Sequence, residues 1–107
     1  MARSFTIRVL LHDYATAEEY ELLRERLLRI GVYDEIQGDN GLWYKLPPAE
    51  YTSNTDVAPE TMRAAVVSIA SNIKPRVAVL LSDCFARYWE GLERIPPPPR
   101  ALAALGL

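Results

Sequence analysis

The sequence predicts an α+β fold of ferredoxin-like βαββαβ order: a two-layer sandwich with a four-stranded antiparallel sheet and two helices on one face. Three observations predict it. Phe5, Ile7, Val9 and Leu11 alternate with Thr6, Arg8 and Leu10, the period of a strand with one face on a core. Two later stretches repeat their apolar residues at helical spacing, each closed by a helix-ending residue, Gly31 or Pro75. Runs of strand-forming residues stand between and after them, and right-handed crossovers in such an order carry both helices to the same face of the sheet.

The elements follow in turn. Phe5 to Leu11 is the first strand. Thr16-Ala-Glu-Glu19 reads as a capping box, in which the threonine accepts from the third amide of the helix and the glutamate reaches back to the cap. Tyr20, Leu23, Leu27 and Ile30 form the buried stripe of that helix. Val32 to Gln37 and Leu42 to Leu46 flank Gly38-Asp-Asn-Gly41, whose residues tolerate positive φ, and read as a hairpin supplying the second and third strands. Pro47 and Pro48 cannot donate to a ladder and end the pairing, so the polar stretch Tyr51 to Asp56 reads as a loop. Pro59 suits the first turn of the second helix, with Met62, Ala65, Val66, Ile69 and Ile73 as its stripe. Arg76 to Ser82 alternates Val77, Val79 and Leu81 with Arg76, Ala78 and Leu80, giving the fourth strand.

Asp83 to Ile95 carries Phe85, Tyr88, Trp89 and Leu92, and Asp83 as a cap favours a short helix over an extended aromatic arm. Pro96 to Pro99 favour polyproline II, and Arg100 to Leu107 is too short and isolated to hold a helix in water. The organisation expected is one domain over residues 1–95 and a flexible Pro-rich tail over 96–107.

Composition narrows the function classes. A length of 107 residues suits a single domain, with half the residues apolar. The formal charge of −2 gives no global pull toward nucleic acid or anionic membrane, so such a contact needs a local patch. Cys84 is the only cysteine, which excludes an intrachain disulfide and a Cys-rich zinc site and fits a reducing compartment. The N-terminal residues meet Arg8 before any long apolar run, reading as neither a signal peptide nor a membrane span, and the cytoplasm is expected. No Gly-rich phosphate loop occurs, and no cofactor or metal is expected.

Candidate sites lie on the sheet face that the helices leave open, where the alternation displays Arg8, Leu10, His12, Trp43, Lys45, Arg76, Ala78 and Leu80. Leu10, Trp43 and Leu80 form an apolar patch suited to homodimerisation, because interfaces favour aromatic and aliphatic groups at their centres. The competing reading makes Trp43 a base-stacking platform and Arg8, Lys45 and Arg76 phosphate contacts for single-stranded RNA. His12 and Asp13 leave the end of the first strand, where an imidazole beside a carboxylate can act as a general base. A lone His-Asp pair is common and its spacing specifies no chemistry, so an ordinary surface histidine followed by an aspartate that begins a turn is the favoured reading of the two residues.

Three fragments, Arg8-Val-Leu-Leu-His12, Tyr44-Lys-Leu-Pro-Pro-Ala-Glu-Tyr51 and Trp89-Glu-Gly-Leu92, resemble small bacterial and phage proteins grouped with the endoribonuclease antitoxin GhoS. The likeness runs from about Phe5 to Leu92. It implies a ferredoxin-like fold related to the small nucleases of CRISPR adaptation and cleavage of a toxin messenger RNA. In those related nucleases an aspartate near the end of the first strand binds metal across a dimer, and Asp13 stands in the comparable place. The function expected is thus a GhoS-like RNA-binding or endoribonuclease regulator. The alternative is a non-catalytic homodimeric protein-binding module, such as a phage or mobile-element protein that blocks a host defence component.

Overall fold

A computed structural model of the chain describes residues 3–106. Met1, Ala2 and Leu107, which the readings of the N-terminus and the tail also covered, lie outside the described residues.

The alternating residues at the start of the chain form β1, Arg3–Leu11, and Phe5, Ile7, Val9 and Leu11 are buried as the period requires. Thr16 caps α1, Ala17–Leu28, with both halves of the capping box present. The hydrogen bond from the Thr16 amide, followed by the attraction of Lys74, holds the Glu19 carboxyl below its ordinary range. The remaining elements are β2, Glu35–Gln37; β3, Trp43–Lys45; β4, Glu50–Thr55; α2, Pro59–Ser71; β5, Val77–Asp83; β6, Arg94–Ile95; and α3, Pro99–Ala104.

The expected four-stranded sheet does not form. The described residues build two three-stranded antiparallel sheets, ordered β4–β1–β5 and β2–β3–β6, with three helices. In the first sheet β1 is central, and its buried side chains pack against Leu23 and Leu27 of α1 and Met62, Val66 and Ala70 of α2. Ala65, expected in the α2 stripe, is exposed, and Ala70 is buried instead.

Two features account for the difference. The polar segment read as a loop is β4, pairing with β1 from Arg3↔Thr55 to Arg8↔Glu50. Its buried hydroxyls are satisfied by neighbouring backbone: Ser53 Oγ donates to Gly31 O at 2.9 Å and Thr52 Oγ1 to Glu35 O at 3.0 Å. The hairpin forms where expected but belongs to another sheet. Tyr33 and Thr52 exchange backbone hydrogen bonds of 2.9 and 2.7 Å. The next rung is missing because the Glu50 amide donates to Pro47 O at 3.2 Å while the Glu35 carbonyl takes the Thr52 hydroxyl. The strand therefore peels away, and β2 and β3 complete a sheet with β6.

The aromatic segment after β5 is not helical. Asp83 ends β5 opposite Phe5 rather than capping a helix, and the chain beyond it follows an irregular path, bent at Phe85, Glu90 and Gly91, until Arg94–Ile95 pairs with Trp43 and Tyr44. The Trp89 ring stands edge-on to Tyr44, with centroids 5.7 Å apart. In the Pro-rich segment Pro98 is buried, and α3 forms where no helix was expected. Its Arg100 bonds Glu35 Oε1 at 2.6 Å and lies 3.5 Å over the Tyr33 ring, contacts that an isolated peptide lacks.

Burial pushes the Tyr51 phenol from 10.0 up to about 12, with nearby Asp34 adding to the shift. The folded chain keeps this proton to higher pH than the unfolded chain. Its contribution to stability is therefore whole below pH about 10 and is lost as the pH rises toward about 12, a change of ~1–3 kcal/mol. Tyr51→Phe should flatten this alkaline loss, as measured by urea unfolding at pH about 9 and about 11.

Candidate functional site

The even-numbered residues of β1 point away from the helices, and at the Ser4 end the segment after β5 crosses over them. Arg87 makes that crossing. Its Nε donates to Thr6 Oγ1 at 2.7 Å and its Nη1 to Ser4 Oγ at 2.8 Å. Its Nη2 is buried with no hydrogen-bond partner. Among the described residues no carboxylate pairs with this guanidinium, so two neutral hydroxyls hold a cation whose third nitrogen still has protons to donate.

Arg87 lies in the wall of a groove of about 730 Å³ between the two sheets. Its floor includes Ser4, Thr52 and Asn54 of the first sheet, and Glu35, Gln37 and Trp43 of the second line one side. Phe85, Tyr88 and Trp89 stand along the crossing segment, with the Phe85 and Tyr88 rings wholly exposed. Arg100 closes the far side, stacked on Tyr33 and 5.0 Å from the Trp43 ring centroid. Five aromatic rings and two guanidiniums thus border one groove, of which Arg100 is neutralised by Glu35 and Arg87 is not.

The structure scatters the expected site residues, and Lys45, on β3, joins none of the others. Trp43 is in the groove. Leu10 and Leu80 lie on the open face of the first sheet as diagonal neighbours, since Leu10 pairs with Ala78 and Leu80 with Arg8. Trp43 belongs to the second sheet and does not join them. All three cations expected to hold phosphate already face carboxylates: Arg8 to Glu50 at 3.7 Å, Lys45 to Asp34 at 3.1 Å and Arg76 to Asp13 at 3.0 Å.

His12 and Asp13 sit together at the far end of β1. The His12 amide donates to Arg76 O at 3.0 Å, and the backbone then turns through Asp13 and Tyr14, both left-handed at φ 63° and 57°. Two consecutive non-glycine residues in that region store strain. The metal role implied for Asp13 does not fit this neighbourhood. Arg76 Nη1 bonds its carboxylate, Lys74 Nζ donates to its carbonyl at 3.4 Å, and two cations thus stand where a metal ion would have to enter.

No family model, curated protein or solved structure matches the chain. Among the described residues, no helix is long and apolar enough to cross a membrane. The groove must therefore be read from its own chemistry. Sequence reasoning missed Arg87, Tyr33, Trp89 and Arg100 as groove residues. A signal was present in Phe85-Ala-Arg87-Tyr-Trp89, an arginine interleaved with aromatic rings.

Proposed function

We propose that the chain binds single-stranded RNA in the groove between its two sheets, acting in the cytoplasm as an RNA-binding regulator of the GhoS antitoxin type. The observation that carries this reading is the buried, unpartnered Nη2 of Arg87 among aromatic side chains. A phosphate oxygen supplies the missing acceptor, and bases stack on Trp43, Trp89 and Tyr88 without regard to sequence. The lone cysteine supports the reducing compartment.

Cleavage by His12 and Asp13 belongs to the same reading, and the strained turn that holds Asp13 and Tyr14 is the feature that favours it. The pair lies eight residues along β1 from Ser4, a distance of roughly 26 Å at strand rise. A bound strand reaches them by running down the open face past Arg8.

Anisotropy of a fluorescent single-stranded RNA of mixed sequence tests the proposal. Binding at tens of micromolar protein is expected, and Trp43→Ala should weaken it by about 5- to 150-fold, the loss of ~1–3 kcal/mol of stacking. Intact RNA recovered after incubation would leave binding without cleavage; cutting that vanishes in His12→Ala or Asp13→Ala would assign the second role. No change in anisotropy would overturn the reading.

A second reading, a homodimeric protein-binding module, is favoured by the exposure of Leu10 and Leu80, at 49% and 66%, on one sheet face.

A further inference from the structure

We propose that β5 is the seam of a symmetric dimer, in which two copies of the chain join edge to edge into one continuous six-stranded antiparallel sheet. The inference rests on strand geometry and is independent of the groove. β5 is the outer strand of the order β4–β1–β5, and among the described residues nothing pairs with its outer edge.

The direction of its backbone groups follows from the ladder. β1 and β5 pair in unbroken register from Phe5↔Asp83 to Leu11↔Val77. The ladder is bracketed by the His12 amide on Arg76 O at 3.0 Å and the Cys84 amide on Ser4 O at 2.7 Å. Hydrogen-bonded and non-hydrogen-bonded pairs alternate along an antiparallel ladder, so Ala78, Leu80 and Ser82 direct their amides and carbonyls toward β1. Val77, Val79, Leu81 and Asp83 direct theirs outward. Natural edge strands are guarded by proline, lysine, a bulge or shortness. The seven residues of β5 hold no proline or lysine, keep continuous register, and carry a single charge, at Asp83.

The occupant is a second copy because the edge is complementary to itself. A two-fold axis through Leu80, the midpoint of the strand, sets Val79 opposite Leu81 of the other copy and Val77 opposite Asp83. All of these are outward-facing residues, so each pair exchanges both hydrogen bonds. The two Leu80 side chains meet as a non-hydrogen-bonded pair, the arrangement with the closest side chains, flanked by the small residues Ala78 and Ser82. Leu80 is 66% exposed in the single chain, and this contact covers it. The same axis brings the wholly exposed Phe85 level with exposed Pro75 of the other copy at each end of the seam.

Light scattering coupled to size exclusion, with amide hydrogen exchange read by NMR, tests the proposal. The wild type is expected at twice the chain mass at about 100 µM, with the Val79 and Leu81 amides protected. Dilution to the monomer should free those two and leave the Ala78, Leu80 and Ser82 amides protected. Leu80→Lys, at a position already exposed, should be a folded monomer by circular dichroism, with the Val79 and Leu81 amides fast at every concentration. The wild-type dilution series decides the matter even if that variant fails to fold. A wild-type monomer at the higher concentration would overturn the proposal. So would a dimer whose Val79 and Leu81 amides exchange as fast as in dilute solution.

Discussion

Phe5→Ala is expected to cost about 3–5 kcal/mol, much of the ~5–15 kcal/mol that a domain of this size commands. Phe5 is fully buried at the centre of the cluster that β1 forms with α1 and α2. Truncation removes its transfer free energy and leaves a cavity that the surrounding residues fill only in part. Arg8, three positions along the same strand, should behave differently. It faces solvent, and its 3.7 Å pair with Glu50 is of the exposed kind that contributes little, so Arg8→Ala should stay within about 0.5 kcal/mol of wild type. Urea unfolding of the two variants measures both values, and similar losses in the two would contradict the assignment of faces.

Arg87→Leu is expected to lower RNA affinity by about 10- to 150-fold, which corresponds to the ~1.5–3 kcal/mol of a charge-assisted hydrogen bond. The effect should exceed that of Arg76→Leu, because Arg76 already shares its charge with Asp13. The variant also removes the Arg87 donor from the Ser4 and Thr6 hydroxyls, of which Thr6 keeps Cys84 Sγ at 3.2 Å. Arg87→Lys separates the two consequences: it keeps the charge but replaces the planar fork, whose Nε and Nη1 serve Thr6 and Ser4 while Nη2 stays free, by donors gathered on one nitrogen. Intermediate affinity with unchanged circular dichroism is the result expected for it. Equal affinity in Arg87→Leu and wild type would remove Arg87 from the site.

Much of the first sheet was legible in the sequence because its signals are local. The alternation of Phe5, Ile7, Val9 and Leu11, the Thr16–Glu19 box and the stripe of α2 each state their structure within a dozen residues. β4 was not legible. Its Glu-Tyr-Thr-Ser-Asn-Thr sequence has weak strand character, and what holds it is the pairing with β1 and the carbonyls of Gly31 and Glu35, all distant along the chain. The hairpin turn could be read from Gly38 to Gly41, but not the choice of sheet, which depends on where the Glu50 amide and the Thr52 hydroxyl bond. β6 is two residues long and exists through its partner β3.

The candidate site followed the same division. Trp43 stood out as a single aromatic residue, whereas Arg87 acquires its meaning only when the segment after β5 folds back over Ser4 and Thr6. Arg8, Lys45 and Arg76 were visible as charges, but the carboxylates they face were not.

The most direct test of the account is an NMR titration of the labelled protein with a short single-stranded oligoribonucleotide. RNA binding in the groove predicts the largest shifts at the Arg87 Nε–H and the Trp43 and Trp89 indole N–H groups, with small changes on α1 and α2. Shifts confined to His12, Asp13 and Tyr14, or none at saturating oligonucleotide, would contradict it.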